Sequence, residues 1–233
     1  MGHYGPAVWD TQRGHGVPIV ALWQGFLAVQ AIDIVFSVLA IFGLEGQGTM
    51  VGGAPVFHIP YSHSLVTSLL IAAICGLGFK LLKPSAGWRG FWIIAALVFS
   101  HWVLDFIVHR PDLLLYPGSD VALGLSFWDY PLLAFALEMG LLLAGFWFWK
   151  RVTIARSMRY TVALWVLFGF MGALQFAVIV WPGLQVQAGT FDPSTQPEGV
   201  GLGLSALFAF GLLTAIVAWI ERGRPSRFAP RKA

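Results

Sequence analysis

Asp33, Asp105 and Glu138 each fall inside a long apolar run of the chain, His101 and His109 share the run of Asp105, and His63 stands at the mouth of another. A carboxylate at the middle of a membrane helix costs about 2.5–3.5 kcal/mol on insertion scales, so each needs a partner or a proton. No Lys or Arg lies among these residues. Acids alone would repel one another, whereas a divalent cation would hold them together. Positions 101, 105 and 109 fall within roughly 80° of one another on a helix, and His-x-x-x-Asp at one-turn spacing brings both side chains to the same point. Imidazole and carboxylate donors without a thiolate suit a divalent ion, zinc first and manganese or iron next, rather than Cu(I). The single cysteine, Cys75, excludes an internal disulfide and a cysteine-based metal cage. The residues therefore predict His63, His101 and Asp105 as metal ligands, with Asp33 and His109 beside them. Glu138 is expected as general base or as a further ligand. Ser100 and Trp102 would flank the site, and Asp112 would end the helix or hold a water.

The elements that must position these residues are legible from composition. Of 233 residues, 58% are hydrophobic and 11% charged, with a mean hydropathy of +0.75. A soluble domain carries about a quarter charged residues, so there is too little polar surface here for a water-soluble globule. The net charge of +3 does not mark a nucleic-acid binder, because the basic residues sit in short connectors beside apolar runs. Six runs reach the roughly 20 residues that cross a bilayer: Val17–Leu44, Ser64–Leu82, Trp88–His109, Tyr130–Trp149, Tyr160–Trp181 and Val200–Ile220. The expected fold is all-α, one integral membrane domain over residues 1–233 built as a bundle of six transmembrane helices. Residues 221–233 form a basic tail. The first run is overlong, which implies a tilt or an interfacial end. Helix breakers such as Lys83-Pro84 and Trp181-Pro182-Gly183 separate the runs.

Thirteen of the fourteen basic residues fall at the N-terminus, in the second and fourth connectors or in the tail; the opposite face carries only Arg110. The positive-inside rule then places both termini in the cytoplasm. Trp88, Trp147, Trp149, Trp181 and Trp219 near span ends are expected in the interfacial aromatic belts. With this topology His109 lies at the outer end of the third span, and His101 lies about 12 Å below it at 1.5 Å per residue. Glu138 lies about 13 Å deep by the same measure, with Asp33 and His63 also in the outer half. Hydropathy alone did not require that agreement in depth.

Other polar residues admit plainer readings. Asp33 could bond Gln30 or Gln24 on its own helix, and Glu138 could be protonated and structural. His3 and His15 are expected on the cytoplasmic side; His3 could fold into the bundle, but on this topology it starts on the wrong side. His58, between Pro55 and Pro60, reads as an exposed or lid residue, and Asp129 as a helix N-cap. The Gly199-x-Gly201-x-Gly203 run opens a span without a preceding strand, so it predicts close helix packing and not a nucleotide loop. The N-terminal stretch lacks the apolar core of a signal peptide and is not expected to be removed. The tail reads as an orientation and anionic-lipid device.

The segments Pro60-Tyr61-Ser62-His63-Ser64-Leu65 and Ser100-His101-Trp102-Val103-Leu104-Asp105 carry a family resemblance. A Ser-His-Ser-Leu box opening one span, followed by Ser-His-x-x-x-Asp near the outer end of the next, resembles the bacterial inner-membrane metal-dependent hydrolases. In that family a Gly-His pair near the N-terminus and an Asp in the first span complete the pattern, which Gly2-His3 and Asp33 would match. The order of ligands is similar, more loosely, to that of zinc-dependent phospholipases C. The resemblance covers roughly residues 1–140. It departs from the family at Asp33, which Ile34 and Val35 follow in place of an Asp-x-Asp-His box, and at the missing His-Arg-Gly, for which His58 is the nearest candidate. No His-Glu-x-x-His occurs, and residues 90–100 contain none of the Lys or Arg that lipid-phosphate phosphatases need upstream to hold the phosphate.

The expected function is a metal-dependent hydrolase of the bacterial inner membrane, its site facing the periplasm or cell exterior and acting at the outer leaflet on a lipid ester or phosphoester. Membrane lipids are the expected partners, with no nucleic acid. Two other classes stay open: a non-catalytic subunit or anchor of a larger membrane complex, ligating haem or chlorophyll through histidine, and a proton or metal transporter. A transporter calls for acids in the inner half of the bilayer as well, and the spans carry none there.

Overall fold

A computed structural model describes residues 1–11, 19–51 and 54–228; His15, Arg13 and the end of the basic tail lie outside them. Helix α1 (Tyr4–Thr11) is followed by α2 (Leu22–Val29) and α3 (Ala31–Ile41), which meet at a 50° bend. An antiparallel hairpin of β1 (Gly46–Val51) and β2 (Ala54–His58) precedes α4 (Leu65–Leu82) and α5 (Gly87–Val108). Beyond α5, a loop carries the two-residue strands β3 (Leu113–Leu114) and β4 (Ala122–Leu123) and leads to α6 (Pro131–Val152). Helices α7 (Met158–Gln175), α8 (Trp181–Gln187) and α9 (Gly199–Arg222) complete the described chain.

Five helical segments are long and apolar enough to cross a membrane, and the bent α2–α3 pair makes a sixth. The chain is an all-α polytopic protein. Helix α4 shows why: Val66, Leu70, Ile74, Leu77 and Leu81 all face outward, a surface that water would not tolerate and lipid would cover. Lys80, Lys83, Arg89, Lys150, Arg151, Arg159 and Arg222 gather where α4, α6 and α9 end and α5 and α7 begin, so the bundle has a basic end. The hairpin, His109 and the loop after α5 lie at the other.

Four expectations change in detail. The first span is not one tilted helix: it breaks at Gln30, and the bend puts Asp33 in the first turn of α3. The fifth does not stop at Trp181-Pro182-Gly183 but runs from Met158 to Gln187 as one helical stretch. A π-helical turn at Phe176–Val180 precedes Pro182, and such a widened turn absorbs the missing N–H and the ring clash that would break a regular α-helix. Trp149 is fully buried against Phe146 and is no belt residue, whereas Trp88, Trp147, Trp181 and Trp219 are exposed as expected. Asp129 ends a short 3-10 turn, with Tyr130 as the residue preceding α6, and pairs with Arg110 at 2.8 Å.

The largest difference is at the N-terminus. Residues expected on the basic side instead line the interior: Tyr4, Ala7 and Val8 are fully buried and α1 runs alongside α6. Glycine permits the approach, since a Cβ on Gly5 would stand 2.7 Å from the Leu141 carbonyl oxygen, and one on Gly145 would stand 3.1 Å from Gly5 Cα. An apolar helix this short cannot cross a membrane, but it can fill the bundle's core. Gly203 packs in the same way against the Ser37 carbonyl of α3, as its motif predicts. At the basic end, Glu221 of α9 accepts bonds from the Leu22 and Trp23 amides (2.7 and 3.3 Å) and so caps the start of α2.

Candidate metal centre

Each candidate ligand is delivered by a different local device. His63 precedes α4, whose first turn is capped by Ser64 through the Thr67 amide. His101 and Asp105 lie one turn apart on the buried face of α5. His109 follows the last turn of α5, its amide donating to the Asp105 carbonyl at 2.7 Å. Asp33 arrives from the first turn of α3, and His3 from the start of α1.

Three of the imidazoles are oriented through Nδ1. The Val29 carbonyl, turned toward α5 at the Gln30 bend, lies 2.6 Å from His101 Nδ1. Asp112 Oδ1 lies 2.9 Å from His109 Nδ1, while its other oxygen accepts from the Phe57 amide and ties the hairpin down. His63 Nδ1 lies 2.6 Å from Ser62 Oγ, which itself donates to buried Glu45. Carbonyls and carboxylates only accept, and the Ser62 proton is already committed to Glu45. Each Nδ1 therefore carries a hydrogen, and in the neutral ring each Nε2 keeps its lone pair. Metal-binding histidines are fixed in this way by acceptors behind the ring.

The bare nitrogens converge on two carboxylates. His63 Nε2 lies 3.3 Å from Asp33 Oδ1 and 3.4 Å from Asp105 Oδ2. His101 Nε2 lies 3.4 and 3.1 Å from the same two oxygens. Donors about 2.0–2.1 Å from one tetrahedral ion stand about 3.3–3.4 Å apart, so these distances have the size of a coordination polyhedron's edges. Asp105 Oδ2 is buried and has no hydrogen-bond partner among the described residues. An orphaned buried carboxylate oxygen is costly, and a cation among these four atoms would satisfy it. The donor set thus fits a divalent metal.

The structure brings together His63, His101, Asp105, Asp33 and His109, and adds His3. The His3 ring stacks on His101 with centroids 4.1 Å apart, and its Nε2 lies 3.0 Å from Asp105 Oδ1. The expectation that His3 stays on the far side is overturned by the inward course of α1; the Gly2-His3 match in the family resemblance was the one signal for it. Glu138 lies next to the cluster but faces the N-terminus. Its Oε2 accepts from the Met1 amine at 2.8 Å and the Gly2 amide at 3.1 Å, and the same amine donates to Gln175. Asp33 meets the histidines and not Gln24, whose side chain accepts from the Ala21 amide. Trp102 flanks the site by donating to the His63 carbonyl, and Ser100 bonds back to Leu97 on its own helix. His58 is exposed at the end of β2.

A cavity of about 120 Å³ opens against the cluster, lined by Asp33, His63, His109, Phe36, Phe57, Ile59 and Trp128. Phe57 and Trp128 also wall a second, mainly apolar cavity of about 100 Å³ that runs along Arg110, Val178, Ile179 and Val186. Asp33 is the most open carboxylate of the set, its side chain 29% exposed against 4% for Asp105. Compared with known protein families, curated proteins and solved structures, the chain matches none.

Proposed function

We propose that this polytopic protein is a metal-dependent hydrolase of a lipid ester or phosphoester. The observation that carries the reading is the unpartnered Asp105 Oδ2 facing the bare Nε2 atoms of His63 and His101, with Asp33 closing the set. His63, His101, Asp105 and Asp33 would hold a divalent ion there, zinc by donor chemistry, and it would supply Lewis acidity toward the scissile group and toward water at neutral pH.

The chain's own residues do the rest. Asp33, the carboxylate most open to the cavity, is placed to accept a proton from attacking water. Glu138, expected as the base, is engaged with residues 1 and 2 and serves by holding His3 against Asp105. Phe36, Phe57, Ile59 and Trp128 exclude water around the bond to be broken, and the adjoining apolar cavity offers an acyl chain a place beside Arg110. The basic end faces the cytoplasm by the positive-inside rule, which turns the site toward the outer leaflet. A haem or chlorophyll ligand set is less well supported. The Nε2 atoms of His63 and His101 crowd within 3.1–3.4 Å of carboxylate oxygens, and the adjoining cavity is far smaller than a macrocycle needs.

The test is elemental analysis of detergent-purified wild type and Asp105→Ala, together with a screen of fluorogenic lipid esters and phosphoesters. The expected result is bound zinc, manganese or iron in the wild type, lost in a folded mutant along with hydrolysis. Hydrolysis that survives both the mutation and chelation would overturn the mechanism.

A further inference from the structure

We propose that the basic end of the bundle carries a built site for one anionic phospholipid of the leaflet at that end, its phosphate held by Lys150, Arg151 and Arg227. The site lies at the opposite end from the His/Asp cluster and does not depend on hydrolysis.

Two stretches far apart in sequence build it. Lys150 and Arg151 fall in the last turn of α6. Arg227 is brought to them by the segment after α9, which runs along the connector between α6 and α7. There the Ile154 amide donates to the Pro225 carbonyl at 3.0 Å, the Arg156 amide to the Gly223 carbonyl at 2.9 Å, and the Arg227 amide to the Val152 carbonyl at 2.8 Å. With Trp147, the three cations line a cavity of about 380 Å³, more than a lone ion fills.

The positive charge gathered here lacks an acid. Among the described residues no carboxylate pairs with Lys150, Arg151 or Arg227. The Arg151 guanidinium and Lys150 Nζ stand over the Trp147 ring, 5.1 and 5.5 Å from its centroid, so both lean on the negative face of one indole. Arg224, three residues before Arg227, is buried, and its guanidinium donates to the Thr153 and Thr161 hydroxyls at 3.1 and 3.3 Å. It too pairs with no carboxylate among the described residues. Like charges held together repel, and a phosphate, with several acceptor oxygens, relieves the repulsion through charge-assisted hydrogen bonds.

The outer face of α6 identifies the anion as the head of a lipid. Leu143, Trp147, Lys150 and Arg151 follow one another at helical spacing along that face, with Leu143 44% and Trp147 47% exposed. At 1.5 Å per residue Leu143 lies about 10–12 Å from the level of the cations. Leucine, indole and cations thus repeat the order of acyl chain, glycerol and phosphate. A free phosphate would use only the last of the three.

The experiment titrates detergent-purified full-length protein with phosphatidylglycerol in mixed micelles, and separately with phosphatidylcholine and with inorganic phosphate. It reads the thermal midpoint and, by native mass spectrometry, the lipids retained per chain. The expected result is one phosphatidylglycerol retained, bound more tightly than phosphatidylcholine and released as salt rises. Arg227→Gln should weaken it about fivefold, and Lys150→Gln combined with Arg151→Gln by more. Arg227→Gln keeps the backbone bond to Val152, so the segment stays in place. Arg222→Gln removes a charge at the same end but outside this cavity, and should leave the affinity unchanged. Equal binding of phosphatidylcholine overturns the proposal. An equal loss in Arg222→Gln overturns it as well, since net charge alone would then account for the binding. Inorganic phosphate that stabilises the protein as strongly as the lipid assigns the cavity to a free anion and likewise overturns it. The wild-type comparison of the three ligands stands even if a variant fails to fold.

Discussion

His101 Nε2 lies 3.1 Å from Asp105 Oδ2, one turn along the same helix, yet that buried oxygen has no hydrogen-bond partner among the described residues. The helix sets the separation and the Val29 carbonyl sets the ring, so the misfit is built into the fold: the Nδ1 proton points away and the Nε2 lone pair points at the carboxylate. Two acceptors facing one another are repulsive unless a proton or a cation lies between them.

Asp105→Asn keeps the size of the side chain and removes its charge. The substitution is expected to weaken divalent metal binding by at least about 100-fold, more than the loss of a residue behind a ligand costs. Isothermal titration of stripped protein with Zn²⁺ measures this directly. Unchanged affinity would remove Asp105 from the ligand set.

Ser62→Ala deletes the hydroxyl that links His63 Nδ1 to Glu45 without touching any proposed ligand. A loss of about 10–100-fold in metal affinity is expected, together with a lowered thermal midpoint, since buried Glu45 and His63 Nδ1 both lose a hydrogen-bond partner. A metal affinity equal to that of wild type would mean that His63 does not need this orientation.

Acid should empty the site. Imidazole and carboxylate donors must be unprotonated to bind, so protons compete with the ion and affinity falls as pH falls. Equilibrium dialysis across the range from mildly alkaline to acidic pH should show metal retained at the high end and released at the low end. Retention that is flat with pH would argue against histidine ligation.

Gly5→Val places a branched side chain where even a Cβ stands 2.7 Å from the Leu141 carbonyl oxygen. Overpacking of this kind costs about 1–3 kcal/mol, and here the cheapest relief is for α1 to move away from α6. His3 would leave with it. A lowered thermal midpoint and weakened metal loading are expected together; loss of neither would mean that α1 is not seated there.

Val178→Trp fills the apolar cavity beside Phe57 and Trp128 without reaching the ligands. Hydrolysis of long-chain esters is expected to suffer through a raised KM, and short-chain esters to be spared. Equal effects on both would show that this cavity does not take the acyl chain.

The membrane class of the protein and most of its candidate site were legible in the sequence for one reason: in lipid, every charge and every helix breaker is conspicuous. Asp33, Asp105 and the histidines at 63, 101 and 109 stood out against apolar runs, and the four-residue spacing on α5 determined that His101 and Asp105 share a face. What spacing along a chain does not encode is where separate helices meet. Only the tertiary structure decided that α1 turns into the bundle, because small residues at Gly5 and Gly145 let two helices nearly touch. That packing brought His3 to Asp105 and engaged Glu138 with residues 1 and 2. The bend at Gln30 and the π turn before Pro182 are likewise seen only in the folded chain. Local periodicity predicts a helix, whereas a break or a widened turn within it depends on neighbours elsewhere in the chain.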